Sequence, residues 1–377
     1  MTSSDARSSS SSASHAGAQP GVGPNPVDLE RDFGLSVSSL VAHPGGFESE
    51  GWVADGTWFV KVWRQELSPA APDPVPGRLG ILHELRKLGL PVPAPVPTLS
   101  GSLHAIWNAR PYAVFPYIDG RPAADTDWRQ SARALRQVHD AVPPSALREM
   151  DKATSSSDAP PASDLGPTAA PGPASALGPA SALGPASALG PASALGRASG
   201  LGEHQDANAV LALPVGGFDE SDVHQLAVRL DHPWIADRSD ELAAAIDRLD
   251  DAVRRAERRP ARRVLCHTDF TSLNLIVDSD DRIAAILDWD QAVLAPREHD
   301  LWIAAETRHL EGYLTEYGAQ DLNIDQLEYA LLSRALRDLT ARVLGDVDRP
   351  GVQTWGFDRL ARLVDDLARF RPFCTGF

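Results

Sequence analysis

Two features of the sequence predict an α+β protein of two lobes, a small β-rich N-terminal lobe and a larger helical C-terminal lobe. Residues 37–115 alternate short β-branched and aromatic runs around a single amphipathic helix, whereas the segments after Gly120 carry mostly helical periodicity. One short apolar hairpin, spanning 275–287, interrupts those helices and carries acid and amide side chains at its ends. Strands first, helices later, and one embedded hairpin fit two layers of unequal composition meeting at a cleft.

The elements follow in order. Residues 1–26, rich in Ser with Gly and Pro, read as a disordered tail. The N-terminal lobe is expected over 27–115, with strand-like runs at Val37–Ala42 and across Trp52–Trp63. Asp55-Gly56 within the second run is the signature of a two-residue hairpin turn. Just upstream, Gly45, Gly46 and Gly51 belong to a glycine-rich hairpin whose backbone amides could cover phosphates. Leu79–Leu88 has apolar residues at 79, 82, 85 and 88, a short helix ended by Gly89 and the Pro-rich 91–97 segment. Strands at Leu103–Trp107 and Pro111–Phe115 then lead into Pro116-Tyr117-Ile118-Asp119-Gly120.

The helical lobe is expected over 116–377. Asp125 or Thr126 can cap a helix running to about Val142, with Trp128, Leu135 and Val138 on its apolar face. From 150 to 208 the pattern stops: Gly-Pro-Ala-Ser-Ala-Leu begins at 172, 178, 184 and 190, and a degenerate copy begins at 196. Proline in each full unit and the lack of large or β-branched residues oppose a β-helix, so this stretch reads as a disordered repeat insertion. Helices resume from Asp222, over Asp240–Arg258, Asp325–Leu344 and Asp358–Arg371.

Composition narrows the class. The chain has 377 residues, 43% of them hydrophobic, and nine Trp, enough for a large core. No apolar run reaches the length of a membrane span, and the N-terminus lacks a basic start and an apolar stretch, so no membrane association or secretion is expected. Cys266 and Cys374 make no metal or redox spacing and read as reduced thiols, which points to the cytoplasm. A formal charge of −16 opposes nucleic-acid binding and suits a cationic small-molecule substrate. Nothing in the sequence sets an oligomeric state.

The chemistry is concentrated in His267-Thr-Asp269-Phe-Thr-Ser-Leu-Asn274, followed by the hairpin and Asp288-Trp-Asp290. Leu275–Val277 and Ile283–Leu287 are the strands, and Asp278-Ser-Asp-Asp281 is the turn. In an antiparallel pair the residue entering the first strand and the residue leaving the second lie at one end, so Asn274 and Asp288 become neighbours. An amide oxygen and a carboxylate suit Mg²⁺, which takes few protein ligands beside substrate phosphates. Asp269, on the preceding loop, is left to accept a proton from an attacking hydroxyl, and His267 reads as a brace for that loop. This is the group set of a kinase-type phosphotransferase. Lys61 is one of three lysines in a chain with 32 arginines and lies within an apolar strand, so it reads as a phosphate contact.

In this order the pieces resemble the aminoglycoside phosphotransferase family of protein-kinase-like fold, and most closely its spectinomycin-phosphotransferase-like branch. The resemblance rests on Val264-Leu-Cys-His-Thr-Asp-Phe with Asn274, on Ile286-Leu-Asp-Trp-Asp290, and on Ala295-Pro-Arg-Glu-His-Asp-Leu301. Thr268 and Phe270-Thr-Ser272 differ from the smaller or His-containing loop usual there. The resemblance implies ATP and Mg²⁺ as cofactors, Asp269 as base, Asn274 and Asp288 on the metal, and Lys61 on the α/β-phosphates. It further implies an adenine-lining hinge at Phe115, Tyr117 and Ile118, and a helical acid paired with Lys61, for which Glu84 is the candidate. The implied activity is phosphorylation of a hydroxyl on an aminoglycoside or aminocyclitol such as spectinomycin.

Alternatives are a metabolite kinase for homoserine, choline or a sugar, and a catalytically weak nucleotide-binding regulator. A metal-dependent hydrolase would gather more His ligands, and no HxH or HExxH is present. Acids in the helical lobe that could meet ammonium groups include Glu298, Asp300, Glu306, Glu311 and Asp338. Because 150–208 lacks packing capacity, replacing it with a short Gly/Ser linker should leave melting temperature and ATP turnover nearly unchanged; a large fall in either would assign it a structural role.

Overall fold

The computed structural model describes residues 23–43, 49–64, 75–143, 221–259, 261–344 and 355–375. Most of the expected tail, Gly45 and Gly46, and the repeat insertion lie outside the described residues.

The chain enters through a helix that the strand-and-helix reading above omits, α1 at Pro26–Phe33. Its signals are local: the Asn25 side chain accepts from the backbone N–H groups of Val27 and Asp28, Asp28 returns a bond to the Asn25 N–H, and Pro26 occupies the first turn. The helix is only two turns long, too short for periodicity to reveal it.

Five antiparallel strands follow: β1 Leu40–His43, β2 Ser49–Ala54, β3 Trp58–Trp63, β4 Ala105–Trp107 and β5 Arg110–Pro116, in the order β1-β2-β3-β5-β4. The turn at Asp55-Gly56 has three residues where two were expected, since Ala54 pairs with Trp58. Asp55 and Gly56 both take positive φ, 47° and 66°. The Asp55 carboxylate accepts from the N–H groups of Ser38 and Ser39, which ties the turn to the chain before β1.

Alternation along β3 separates two faces. Val60 and Val62 are fully buried against Trp52, Tyr112 and Val114, and α1 covers this face with Leu29 and Phe33. Trp63 faces the other way with Ala113 and Phe115 of β5, under Leu79 of helix α2, which spans Val75–Lys87. Lys61 shares the parity of Trp63, and its Nζ lies 5.1 Å from the Trp63 ring centroid. α2 begins four residues before the apolar stripe starts at Leu79.

Beyond β5 the described residues are mostly helical: α3 Trp128–Asp140, α4 Ser221–Ala227, α5 Ser239–Arg258, α6 Glu298–Leu301, α7 Ile303–Glu306, α8 Leu310–Tyr317, α9 Ile324–Leu344 and α10 Trp355–Phe370. One large core joins Leu135 and Val138 of α3, Leu242 and Leu249 of α5, and Leu332, Leu336 and Leu339 of α9. The short helices α6 to α8 carry weak periodicity and were not expected. Set into this body are two small β units. β7 Arg263–Cys266 pairs with β10 Val293–Pro296, and β8 Leu275–Val277 pairs with β9 Ile283–Ile286 and with the two-residue β6, Arg121–Pro122.

Gly120 joins the two regions where β6 meets β8. A Cβ on Gly120 would lie 2.5 Å from Ile276 Cγ2 and 2.6 Å from the Val277 carbonyl oxygen. Backbone on one side leaves no flexible atom to yield. Gly120→Ala should therefore destabilise the protein by about 1–3 kcal/mol, the usual cost of overpacking, read as a lower melting temperature; an unchanged melting temperature would show that the junction can open.

Candidate active site

The loop between β7 and β8 has its conformation imposed from below. Asp300, in α6, is fully buried, and its carboxylate accepts from the backbone N–H of His267 at 2.7 Å, the N–H of Thr268 at 2.5 Å, and His139 Nε2 at 3.0 Å. Thr268 is in the left-handed region at φ 68°, costly for a β-branched residue. Its surroundings overdetermine that geometry: Thr268 Oγ1 donates to the Gln291 carbonyl at 3.1 Å, and Trp302 Nε1 donates to the Thr268 carbonyl at 3.4 Å.

His267 accepts at Nδ1 from the Asp269 N–H at 3.3 Å, so Nε2 carries the proton and donates to the Leu287 carbonyl at 2.8 Å. Its ring packs on Trp289, with centroids 4.6 Å apart. The histidine thus ties the loop to the end of the hairpin, as the sequence suggested.

Asp269 is buried and held on both carboxylate oxygens. Arg334 Nη1 donates to Oδ1 at 2.9 Å, and Asn274 Nδ2 donates to Oδ2 at 2.9 Å and to the Asp269 carbonyl at 2.8 Å. These two bonds fix the Asn274 amide, leaving Asn274 Oδ1 buried with no hydrogen-bond partner among the described residues. An orphaned buried acceptor is costly unless a cation or donor completes it. The hairpin brings Asn274 to the expected end: Leu275 pairs with Ile286, and the Leu287 N–H donates to the Asn274 carbonyl at 2.8 Å.

Asp288 follows directly, at φ 61°. Its side chain is 46% exposed. Although its tip is open to solvent, crowding by surrounding protein atoms disfavours the charged form and raises its carboxyl pKa; Lys61 opposes the rise, and Asp290 and Asp269 add to it. Lys61 Nζ lies 3.3 Å from Asp290 Oδ2 and 3.8 Å from Asp288 Oδ1. The oxygen donors of Asn274 and Asp288 therefore fit a hard divalent cation. Asp290 is a site residue that the sequence reading passed over; its spacing of two from Asp288 was the available signal.

Glu84 departs from expectation. It is buried in α2, and its carboxylate pairs with Lys87 at 3.1 Å. The i,i+3 spacing puts that lysine on the same helix face, while Lys61 reaches the aspartates at the end of the hairpin. At the end of β5 Phe115 is buried, just after it Tyr117 and Ile118 are half-buried, and the Tyr117 N–H donates to the Thr57 carbonyl at 2.8 Å.

Four of the five acids considered for ammonium groups are engaged internally. Asp300 holds the loop, Glu298 accepts from the Asn323 N–H, Glu306 pairs with Arg359 and Arg362, and Asp338 pairs with Arg334 and Arg359. Glu311 is exposed. Beneath the loop His139, Cys266 and Asp300 present ligand-type atoms within 4.8 Å of one another. Burial, with Asp300 and Glu298 nearby, pushes the Cys266 thiol up, and His139 is bonded to both Tyr317 and Asp300. His139 and Asp300 are thus tied into the support of the loop.

A model of the phosphotransferase enzyme family, APH, matches residues 39–332, and the chain belongs to that family. The homoserine kinase of Sinorhizobium fredii (strain NBRC 101917 / NGR234) is 36% identical over 115 residues, a match covering 28% of this chain and 34% of that relative's length. Among solved structures, spectinomycin phosphotransferase APH(9)-Ia in complex with ADP and spectinomycin has a TM-score of 0.52 at 16% identity, over 92% of this chain and 97% of that one. A thermostable mutant of aminoglycoside phosphotransferase APH(4)-Ia, with AMP-PNP and hygromycin B, has a TM-score of 0.51 at 17% identity, over 90% of this chain and 97% of that one. At such identities the likeness shows a shared kinase-like fold.

Asp300→Ala would leave three buried donors without their acceptor. We expect a loss of about 3–5 kcal/mol, as for breaking a buried charged network, measured by denaturant unfolding; a loss below about 1 kcal/mol, the scale of one ordinary hydrogen bond, would contradict the anchoring role.

Proposed function

We propose that this chain transfers the γ-phosphoryl group of ATP to a hydroxyl of a small molecule. The observation that carries the reading is the gathering of Asp269, Asn274, Asp288 and Lys61 around one end of the β8–β9 hairpin, with Asp269 held on both oxygens and Asn274 Oδ1 left unpartnered. Family membership supports it.

Each group has a role in this chemistry. Asp269 accepts the hydroxyl proton and orients the acceptor oxygen toward the phosphorus as the bond to the ADP leaving group breaks. Asn274 Oδ1 and the Asp288 carboxylate would hold Mg²⁺, which when bound neutralises charge on the phosphates. Lys61, whose Nζ lies 3.3 Å from Asp290 and 3.8 Å from Asp288, would supply a positive charge to the same phosphates. Phe115, Tyr117 and Ile118 would line the adenine site.

For the acceptor, the first reading is an aminoglycoside or aminocyclitol such as spectinomycin, supported by the family and by the fold shared with APH(9)-Ia and APH(4)-Ia. A second reading, a hydroxyl-bearing metabolite of the homoserine type, is favoured by the local match to homoserine kinase.

The test is ATP consumption against a panel containing spectinomycin, hygromycin B, other aminoglycosides, homoserine, choline and sugars, with Asp269→Asn as the blank. One class should raise turnover well above the acceptor-free rate, and Asp269→Asn should lower kcat by about two to four orders of magnitude while keeping nucleotide affinity. Equal turnover in the mutant would remove Asp269 from the mechanism, and no turnover from a folded, ATP-binding protein would favour a regulatory nucleotide binder.

A further inference from the structure

Asp269 is clamped from the side away from Asn274 by a group on a different element. Arg334, in α9, is 6% exposed and donates from Nη1 to Asp269 Oδ1 at 2.9 Å. A carboxylate held at one oxygen can swing about its Cβ–Cγ bond. Held at both, with Asn274 Nδ2 on Oδ2 at 2.9 Å, its plane is fixed. Each oxygen still has a second lone pair able to receive an acceptor hydroxyl.

Arg334 is itself located by two further contacts. Its Nε lies 3.4 Å from Asp338 Oδ1, one turn along α9. Its guanidinium sits 4.5 Å from the centroid of the Trp302 ring, and that same indole donates to the carbonyl of Thr268, the residue preceding Asp269. Asp338 pairs in turn with Arg359 of α10, whose Nε is 3.0 Å from Glu306 and whose guanidinium is 5.3 Å from the Trp302 centroid. The indole is thus common support for the loop and for the arginine that grips its aspartate.

We propose that Arg334 is a positioning residue for phosphoryl transfer: by bridging Asp269 to the Trp302–Asp338 support, it sets the orientation in which Asp269 meets the acceptor hydroxyl. The proposal rests on the phosphotransfer reading, in which Asp269 is the base. A merely structural arginine would lower stability when removed and leave the turnover of folded molecules unchanged. A positioning arginine acts on kcat, because a misplacement of about 1 Å at a reacting group can cost about a hundredfold.

The experiment compares wild type with Arg334→Ala, Arg334→Gln and Arg334→Lys, using MgATP and whichever of spectinomycin, L-homoserine or water the wild type turns over fastest. Arg334→Gln keeps an aliphatic stem and a neutral N–H donor should the alanine variant fold poorly. We expect kcat to fall about 10- to 100-fold in Arg334→Ala, with KM for ATP within about twofold of wild type. Arg334→Lys, a point charge without the planar fork, should fall between. Millimolar guanidinium should restore turnover severalfold in Arg334→Ala while having no such effect on wild type or Asp269→Asn.

Backbone amide exchange over residues 267–271, recorded with MgADP bound, provides a readout independent of turnover. It should quicken in Arg334→Ala and slow again with guanidinium. An unchanged kcat, or a fall without guanidinium rescue and with unchanged exchange, overturns the role. Absence of turnover in wild type with every acceptor would instead count against the phosphotransfer reading, and loop exchange alone would then decide whether Arg334 holds Asp269.

Discussion

The site depends on one buried carboxylate. Asp300 reaches into the base of the β7–β8 loop and accepts two consecutive backbone N–H groups and an imidazole, with no exposure to solvent. Consecutive amides converge on one point only when the chain between them bends sharply, and Thr268 meets that demand by entering the left-handed region. The bend directs Asp269 toward the hairpin end, where Asn274 and Arg334 take its two oxygens. A fully buried carboxylate is tolerated because every bond it makes is to a donor.

Charge is balanced locally in the same region. From Asp269 the partners alternate in sign through Arg334, Asp338, Arg359, Glu306 and Arg362 to Asp366. Among its inner members, Asp269, Arg334 and Asp338, removing one leaves its neighbour an uncompensated buried charge. The overall −16 therefore says little about the cleft, since much of the acid near Asp269 is matched by arginine. At the end of the hairpin Lys61 faces Asp288 and Asp290, a cation beside two anions.

Much of this was legible from residue order. The hairpin that brings Asn274 beside Asp288 follows from two apolar runs and an acidic turn, and Lys61 stood out because lysine is rare in this chain. The long helices α5, α9 and α10 began or ended within about three residues of their periodic stripes. What sequence could not provide was partner choice among like residues. Thirty-two arginines offered no way to single out Arg334, although its place amid Leu331, Leu332, Ala335 and Leu336 marks an arginine on a buried face. Asp300 stood among five acids that could meet ammonium groups, because its burial depends on β7 and α3, which are distant in sequence. Glu84 took the nearer lysine, and the short helix α1 was written in capping residues rather than in periodicity.

The central claim is that Asp288 and Asn274 form a metal-dependent nucleotide site at the end of the hairpin. Calorimetric titration of ADP with and without Mg²⁺, in wild type and in Asp288→Ala, tests it most directly. Mg²⁺ should tighten ADP binding to wild type by an order of magnitude or more (~10-fold corresponds to ~1.4 kcal/mol) and have little effect on the variant. An equal Mg²⁺ dependence in both proteins, or none in wild type, would contradict the account.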